Sequence, residues 1–179
     1  MKNLESIKSL RQKIVSKQNY ALNSSGVYRW WFKEDVFVLA DFPRFTNNLN
    51  LQSRIIDSET YYALYFGMSK AMKERIKWHV CNAHKQSAVK SGFLSTLRQS
   101  ISALLKLEMS KSECQVNKFM DDYGYLEWDY TNSEQDAKDI EHAELTQLDY
   151  SYPLNIQGNK TVSKTHLKDL KALRTTFKK

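Results

Sequence analysis

The sequence predicts an α+β fold in which a small sheet is covered by helices. Runs rich in aromatic and β-branched residues predict strands near 26–32, 60–67 and 124–131. Segments with apolar residues at helical spacing precede, separate and follow these runs. Neither an internal repeat nor a linker interrupts the chain. We therefore predict one domain over 1–179 with its core at about 24–159.

The first half of the chain supplies most of the predicted sheet. Apolar residues recur at helical spacing among Lys and Arg over 4–19, which predicts a basic amphipathic helix. The runs GVYRWWF and DVFVLADF flank a polar step at 33–35 and predict a β-hairpin, followed by a loop over 43–52. In the strand at 60–67, strict alternation places four residues on one face: Tyr61, Ala63, Tyr65 and Gly67.

Helices dominate the second half. Ser69 is placed to cap a helix that runs to about His84, and another helix is predicted from about 94 to 107. Ser133 opens an acidic helix. A basic helix over 161–177, with Leu at three-residue spacing, closes the chain.

Composition excludes several classes of protein. Residues are 41% hydrophobic and 12% aromatic, which supplies enough apolar surface for a core and excludes disorder of the whole chain. No stretch approaches the roughly 18 to 20 apolar residues of a membrane span, and the N-terminus lacks the apolar centre of a signal peptide. Cys81 and Cys114 are isolated, so neither a disulfide framework nor structural zinc is indicated. We predict a soluble, cytoplasmic protein with no membrane partner.

The charge is unevenly distributed. The formal net charge is +7, but residues 121–149 hold ten of the twenty acidic residues and one Lys, which leaves +16 on the rest of the chain. A basic surface of this kind is typical of proteins that bind a polyanion such as nucleic acid. Basic termini also occur as solubilising tails, and charge alone leaves both interpretations open.

Two glutamates occupy unexpected positions in the acidic helix. The apolar stripe of this helix passes through six positions: Ala137, Ile140, Glu141, Glu144, Leu145 and Leu148. A carboxylate on a buried face costs several kcal/mol unless it is paired, protonated or bound to a metal. At least one of the two glutamates therefore needs a cationic partner. Either Glu141 forms an ordinary ion pair with an Arg, or the face is only half buried, or the glutamate is a metal ligand.

The helix after Ser69 carries two side chains suited to phosphate chemistry. Arg75 and His79 are four residues apart and so are neighbours on one face. Arg75 suits a bidentate contact with phosphate, and the imidazole of His79 can exchange a proton near neutral pH. Taken out of context, such a pair is also common on ordinary surfaces.

The order of these features resembles that of the GIY-YIG nuclease family. Arg75 is the eighth residue after Gly67, and His79 follows four residues later, a spacing more specific than any single motif. The elements that carry the resemblance are Gly26-Val27-Tyr28, Tyr65-Phe66-Gly67, Arg75, His79, the acidic helix with Glu141, and Pro153-Leu154-Asn155. The resemblance covers about 26–159, and the stretches SGFLSTLRQSISALL and PLNIQGN resemble a bacterial branch of that family.

The resemblance implies both a fold and a reaction. The expected fold is a three-stranded antiparallel sheet flanked by helices, extended here by the N- and C-terminal helices. The expected reaction is hydrolysis of a DNA phosphodiester with one divalent metal, Mg²⁺ or Mn²⁺. In that reaction Glu141 holds the metal and Arg75 neutralises charge that develops on the phosphate.

The resemblance also assigns the proton chemistry. Tyr28 is expected to act as general base or to orient the attacking water. Because a phenol with a pKa of about 10 is a poor base at neutral pH, Tyr28 needs a helper, and His79 is the natural candidate. Tyr65 is expected to complete the hydrogen-bond network, and Asn155 to steady the site from the far side.

The sequence departs from the family pattern at several positions. Val27 and Phe66 replace the two Ile of the family name, which affects only packing. Met68 stands where some members have Lys, so that cation is missing or is replaced by Lys70. Helical register favours Glu141 as the metal ligand, whereas counting back from Pro153 favours Glu144.

Two functions follow as hypotheses. The first is a metal-dependent DNA endonuclease, for which a homodimer would allow both strands to be cut. The second is a catalytically inactive nucleic-acid-binding module of the same fold. A small-molecule enzyme has little support because the sequence has no Gly-rich phosphate loop, nucleophile elbow or HExxH motif.

Overall fold

A computed structural model describes residues 1–178, in which helices surround one antiparallel sheet. The strands are β1 (Asn3–Ser6), β2 (Gly26–Lys33), β3 (Ser53–Ile56), β4 (Glu59–Ser69) and β5 (Gly124–Tyr130). The α-helices are α1 (Ile7–Val15), α2 (Phe42–Thr46), α3 (Met72–Cys81), α4 (Gln86–Ser91), α5 (Thr96–Leu104), α6 (Glu113–Tyr123), α7 (Glu134–Thr146) and α8 (Lys164–Phe177). Short 3₁₀ helices span Glu34–Val38 and Met109–Lys111.

The α+β class is confirmed, but the sheet has five strands where three were expected. The strand order is β1-β5-β2-β4-β3, and every neighbouring pair is antiparallel. The three strands that the aromatic runs predict form the centre of this sheet. The two additional strands are four-residue edge strands, too short for their sequences to show an alternating pattern.

Several local predictions in the first half of the chain are wrong. The run at 35–42 does not complete a hairpin, because it forms a 3₁₀ turn and the start of α2. Two of its apolar residues, Val36 and Phe42, are nevertheless fully buried in the core. The predicted helix over 4–19 is shorter, since the residues before Ile7 pair with β5 as β1.

The predicted helices of the second half are present with shifted ends. Ser133 caps α7 as predicted by accepting a hydrogen bond from the Asp136 backbone N–H. Ser69 does not cap α3, whose first residue is Met72; its hydroxyl accepts from the Ala71 backbone N–H instead. The short helix α4 and the longer α6 complete this half of the chain.

The sheet separates two apolar layers. One layer packs β2, β4 and β5 against the helices α1, α3, α5, α6 and α8, and it contains Tyr28, Trp30 and Leu64. The other packs the opposite face against α7 and contains Val27, Ala63 and Phe66. The helix that carries the candidate glutamates therefore lies across the sheet from the helix that carries Arg75 and His79.

A β-bulge changes the predicted alternation of β4. Opposite β2, Trp30 pairs with Tyr65 while Trp31 pairs with Ala63, so the register shifts between them. Tyr65 and Leu64 consequently pack in the same layer, whereas Ala63 and Tyr61 pack in the other. The prediction that Tyr61 and Ala63 share a face with Tyr65 is therefore wrong.

Candidate active site

The two strand tyrosines lie side by side above the centre of the sheet. Tyr28 on β2 pairs with Gly67 on β4, and its ring stacks on that of Tyr65 with centroids 6.3 Å apart. The side chain of Tyr28 passes so close to β4 that a Cβ added at Gly67 would lie 2.6 Å from the phenol oxygen. Position 67 must therefore be glycine for Tyr28 to occupy this place.

His79 links Tyr28 to a serine that the sequence did not single out. The Tyr28 hydroxyl lies 2.9 Å from Nε2 of His79, and Nδ1 of His79 lies 2.6 Å from the hydroxyl of Ser95. His79 and Ser95 are both fully buried. Each ring nitrogen therefore has one hydroxyl partner, so Ser95 fixes the orientation of the imidazole.

Burial and charge keep this pair neutral in the free protein. Burial raises the pKa of Tyr28 well above its ordinary value, and the neighbouring Tyr65 adds to the rise. Burial lowers the pKa of His79 well below its ordinary value, with smaller contributions from the cations Arg75 and Arg98. At neutral pH the pair is a phenol beside an uncharged imidazole that can accept a proton.

Glu141 and Glu144 face different surroundings although both are half-buried on α7. Oε1 of Glu144 accepts a 2.7 Å hydrogen bond from Arg29 and another from the Tyr152 hydroxyl, which is the ordinary ion pair expected of a buried carboxylate. Oε1 of Glu141 accepts a 2.9 Å bond from the backbone N–H of Met68. Glu141 lines the cleft that contains Tyr28 and Glu144 does not.

The predicted apolar stripe of α7 is only partly buried. Ala137 and Leu145 pack against the sheet, but Ile140 is 42% exposed and Leu148 is 89% exposed beyond the end of the helix. Position 141 thus borders the buried face and opens on the cleft.

The cleft has a volume of about 540 Å³ and collects most of the predicted residues. Its lining includes five of the six candidate residues: Tyr28, Tyr65, Arg75, Glu141 and Asn155. The sixth candidate, His79, does not line the cleft but is hydrogen-bonded to Tyr28, which does. The guanidinium of Arg75 lies 4.8 Å from the centre of the Trp78 ring. Lys70 is exposed and lines an adjoining shallow hollow that shares Arg75 and Trp78 with the cleft, but Lys70 itself is not part of the cleft lining.

Asn155 contacts the backbone of the sheet. Its Oδ1 accepts a 2.8 Å bond from the Phe66 N–H, and its Nδ2 donates a 2.7 Å bond to the Phe66 carbonyl. Asn155 is 5% exposed and its amide is fully engaged with this one residue. Because Phe66 separates Tyr65 from Gly67, Asn155 fixes the strand segment that carries the site.

Sequence reasoning also missed three residues that line or support this cleft. Ser95 supports His79, Thr96 lies with its hydroxyl 3.2 Å from that of Tyr65, and Arg174 enters the cleft from α8. Helical spacing in α8 points to its apolar face and does not single out Arg174. No local pattern links Ser95 to His79, since the contact spans 16 residues and a change of chain direction.

A comparison with protein families gives a match over most of the chain. A model described as the GIY-YIG catalytic domain matches residues 26–176. The chain belongs to the GIY-YIG family. The matched span begins at Gly26, where β2 starts, and ends within α8. No curated protein and no solved structure matches the chain.

The donor set of this GIY-YIG cleft suits a hard divalent cation held by one protein carboxylate. Residues 1–178 contain no group of three or more His, Cys, Asp or Glu side chains that could hold a metal. Mg²⁺ commonly binds through one or two carboxylates, keeps several waters and takes further oxygens from substrate phosphates. Burial raises the pKa of Glu141, while the Met68 N–H and Arg75 favour its ionised form. A single anchored carboxylate opening on the cleft fits this mode of binding.

Proposed function

We propose that the chain is an endonuclease that hydrolyses DNA phosphodiesters in the cleft lined by residues of α3, α5, α7 and α8. The proposal rests on one observation: within a GIY-YIG domain, Tyr28, Tyr65, Arg75 and Glu141 line the same cleft, and His79 is bonded to Tyr28. The net charge of +7 is favourable for a polyanionic substrate.

Glu141 would hold the divalent cation, Mg²⁺ or Mn²⁺. When bound, such a cation polarises the scissile phosphate and stabilises the leaving oxygen. Arg75 stabilises the negative charge that accumulates on the phosphate oxygens. Stacking on Trp78 holds its guanidinium in place without neutralising it.

Tyr28 and His79 move the proton of the attacking water. As the water oxygen bonds to phosphorus, the bond from phosphorus to the leaving oxygen breaks, and the leaving oxygen takes a proton from solvent. Tyr28 takes the proton of the attacking water and passes its own phenolic proton to Nε2 of His79. This requires the tautomer in which Nδ1–H donates to Ser95. In the free protein Arg75 contributes to the lowered pKa of His79, so a phosphate bound at Arg75 cancels this repulsion and makes the imidazole a stronger base.

Asn155 is proposed as a positioning residue, because both polar atoms of its side chain are engaged with Phe66.

A single domain over 1–179 is also proposed, and the burial of Ile7 in α1 and Leu170 in α8 supports it. No helix among residues 1–178 is long and apolar enough to cross a membrane. A cytoplasmic location and a homodimer stay proposals.

A pair of matched variants tests the nuclease and its metal ligand. With duplex DNA and Mg²⁺ or Mn²⁺, the wild type should cut, and a chelator should stop the cutting. Glu141→Gln keeps the side-chain shape, and we expect it to lower the cleavage rate by at least about 100-fold, as removal of one key electrostatic group does.

Glu144→Gln is the control. It removes the 2.7 Å carboxylate partner of Arg29, which keeps only its 3.8 Å contact with Glu127, and should lower the free energy of unfolding by up to about 3 kcal/mol, while the folded fraction still cuts. If Glu144→Gln loses cleavage and Glu141→Gln does not, Glu144 is the metal ligand instead of Glu141. DNA binding by a wild type that never cuts would instead support the inactive binding module.

A further inference from the structure

Within residues 1–178, two arginines of the cleft have no carboxylate partner. The cations that line the cleft are Arg75, Lys138 and Arg174, and Glu141 is its one acidic residue. Lys138 pairs with Glu134 at 2.8 Å. Among residues 1–178, neither Arg75 nor Arg174 has an acidic oxygen within 4.0 Å. The cleft therefore contains two guanidinium groups that are available to bind an anion.

Arg174 is oriented by a neutral group. It lies on α8, and its guanidinium donates a hydrogen bond to Oε1 of Gln99 on α5. Gln99 is itself fixed, since its Nε2 donates a 2.5 Å bond to the carbonyl of Leu94. This arrangement holds one edge of the guanidinium and leaves its charge uncompensated.

The surroundings of Arg174 favour an anion. Arg174 is half-buried, and this burial lowers its pKa because the charged form has lost water, an effect that the neighbouring Tyr65 offsets only in part. Thr96, the first residue of α5, also lines the cleft, so the positive end of that helix lies there. The hydroxyl of Ser95, the N-cap residue of α5, is engaged with His79 and makes no capping bond.

We infer that Arg174 binds a second phosphate of the DNA strand, beside the phosphate held at Arg75. This inference rests on the proposed function and adds to it a binding residue on the C-terminal helix. A guanidinium fork matches a phosphate in two parallel hydrogen bonds, which a lysine cannot reproduce. Arg174 thus sets the path of the strand through the cleft, and Arg75 acts at the reacting phosphate.

Binding of a short labelled DNA duplex tests the inference without cleavage. In the Glu141→Gln background, Arg174→Gln should weaken binding by roughly tenfold and reduce the slope of log affinity against log salt by about 1. Arg174→Lys should restore the slope but only part of the affinity. Lys168→Gln is the control, because Lys168 is an exposed cation on the same helix that does not line the cleft.

A substitution that leaves Arg174 in place sharpens the test. Gln99→Glu puts a carboxylate against the guanidinium and should weaken DNA binding as Arg174→Gln does. Equal losses in Lys168→Gln and Arg174→Gln, or no loss in Arg174→Gln, would overturn the inference. In the active protein we expect Arg174→Gln to raise KM with little change in kcat.

The two proposals can fail separately. If the wild type never cuts but Arg174→Gln selectively weakens binding, the nuclease proposal falls and the phosphate contact stands. If the wild type cuts and Arg174→Gln binds and cuts normally, the phosphate contact falls alone.

Discussion

At the scale of single residues, the proposed mechanism depends on a phenol acting as a base. Burial holds the Tyr28 proton firmly, so the phenol can accept a proton from water only while it gives up its own. His79 lies at hydrogen-bond distance for that transfer, and Ser95 contacts its other ring nitrogen. In the hydrogen-bonded series Ser95–His79–Tyr28, the base is oriented by a third group, as is common for activated catalytic groups.

Ser95→Ala tests the orienting role. Removal of the hydroxyl leaves Nδ1 of a buried imidazole without its partner, which lets the ring adopt the wrong tautomer or rotate. We expect kcat for DNA cleavage to fall by roughly tenfold or more with KM nearly unchanged, since proton transfer contributes about 10² to 10⁴. Ser95→Thr should recover most of the loss.

Ser100→Ala is the matched control for that prediction. Ser100 is a fully buried serine of α5 whose hydroxyl bonds the carbonyl of Thr96 and does not contact His79. Full kcat in Ser95→Ala, or the same loss in both variants, would contradict the orienting role. The tautomer of His79 can be read directly from its ring nitrogen resonances.

At the scale of elements, periodicity predicted those parts of the fold that bury a regular face. The runs that became β2, β4 and β5 and the stripes of α5 and α7 are long enough for their period to be read. The run at 35–42 was wrongly predicted as a strand, because apolar residues indicate burial but do not specify the backbone conformation. Val36 and Phe42 are buried from turns of helix, while Val38 between them is 82% exposed.

The geometry of the site was predictable only in part. Spacing along α3 brought Arg75 and His79 together, and the helical register of α7 favoured Glu141 over Glu144. The bulge in β4 and the contacts of Ser95 depend on pairing between distant segments, which no local pattern encodes. The candidate catalytic residues were therefore easier to predict from the sequence than the contacts that support them.

One edge of β4 organises the site. Beyond the short β3, the outer groups of β4 are satisfied by loops and side chains: the Leu64 carbonyl by the Leu154 N–H, Phe66 by Asn155, and the Met68 N–H by Glu141. The part of the β4 edge that pairs with no strand therefore anchors the candidate metal ligand, Glu141. The position of Glu141 depends on the position of this edge.

Asn155→Ala tests that dependence. The substitution leaves the buried N–H and carbonyl of Phe66 without partners, so we expect the free energy of unfolding to drop by at least about 2 kcal/mol. The kcat per folded molecule should also fall, because Phe66 holds Tyr65 and Gly67 in place. Hydrogen exchange of the Phe66 amide should become faster.

Asn159→Ala separates stability from site geometry. Asn159 is equally buried but bonds the carbonyls of Tyr152 and Asn155 and does not contact β4. It should lose stability while it keeps kcat per folded molecule. A protected Phe66 amide and a normal kcat in Asn155→Ala would show that β4 does not need this side chain.

At the scale of the whole molecule, the basic terminal segments form part of the packed structure. Ile7 and Leu10 of α1 and Leu170 of α8 are fully buried. The family match also extends into α8. This packing argues against the interpretation of α8 as a mere solubilising tail, because it holds Arg174 of this helix in the lining of the cleft.

The buried histidines make the stability of the whole molecule depend on pH. Burial lowers the pKa of His84 to about 4, with Arg98 adding to the shift, and it lowers the pKa of His79 well below its ordinary value. A histidine with a lowered folded-state pKa binds fewer protons when folded than when unfolded. Its contribution is therefore complete above the unfolded pKa of about 6.5 and is lost as pH falls from there towards the folded pKa.

For His84 alone this loss amounts to about 3 kcal/mol between pH 6.5 and 4, at 1.36 kcal/mol per pKa unit. We expect urea unfolding to show a stability that is level from pH 8 to 7 and declines steadily below about 6.5. His84→Gln should flatten part of this decline, because Oε1 of Gln can still accept the hydrogen bond from Arg98 but takes up no proton. His142→Gln, at an exposed position, should leave the decline unchanged. An unaltered slope in His84→Gln, or a stability that stays constant from pH 7 to 5, would contradict this origin of the acid sensitivity.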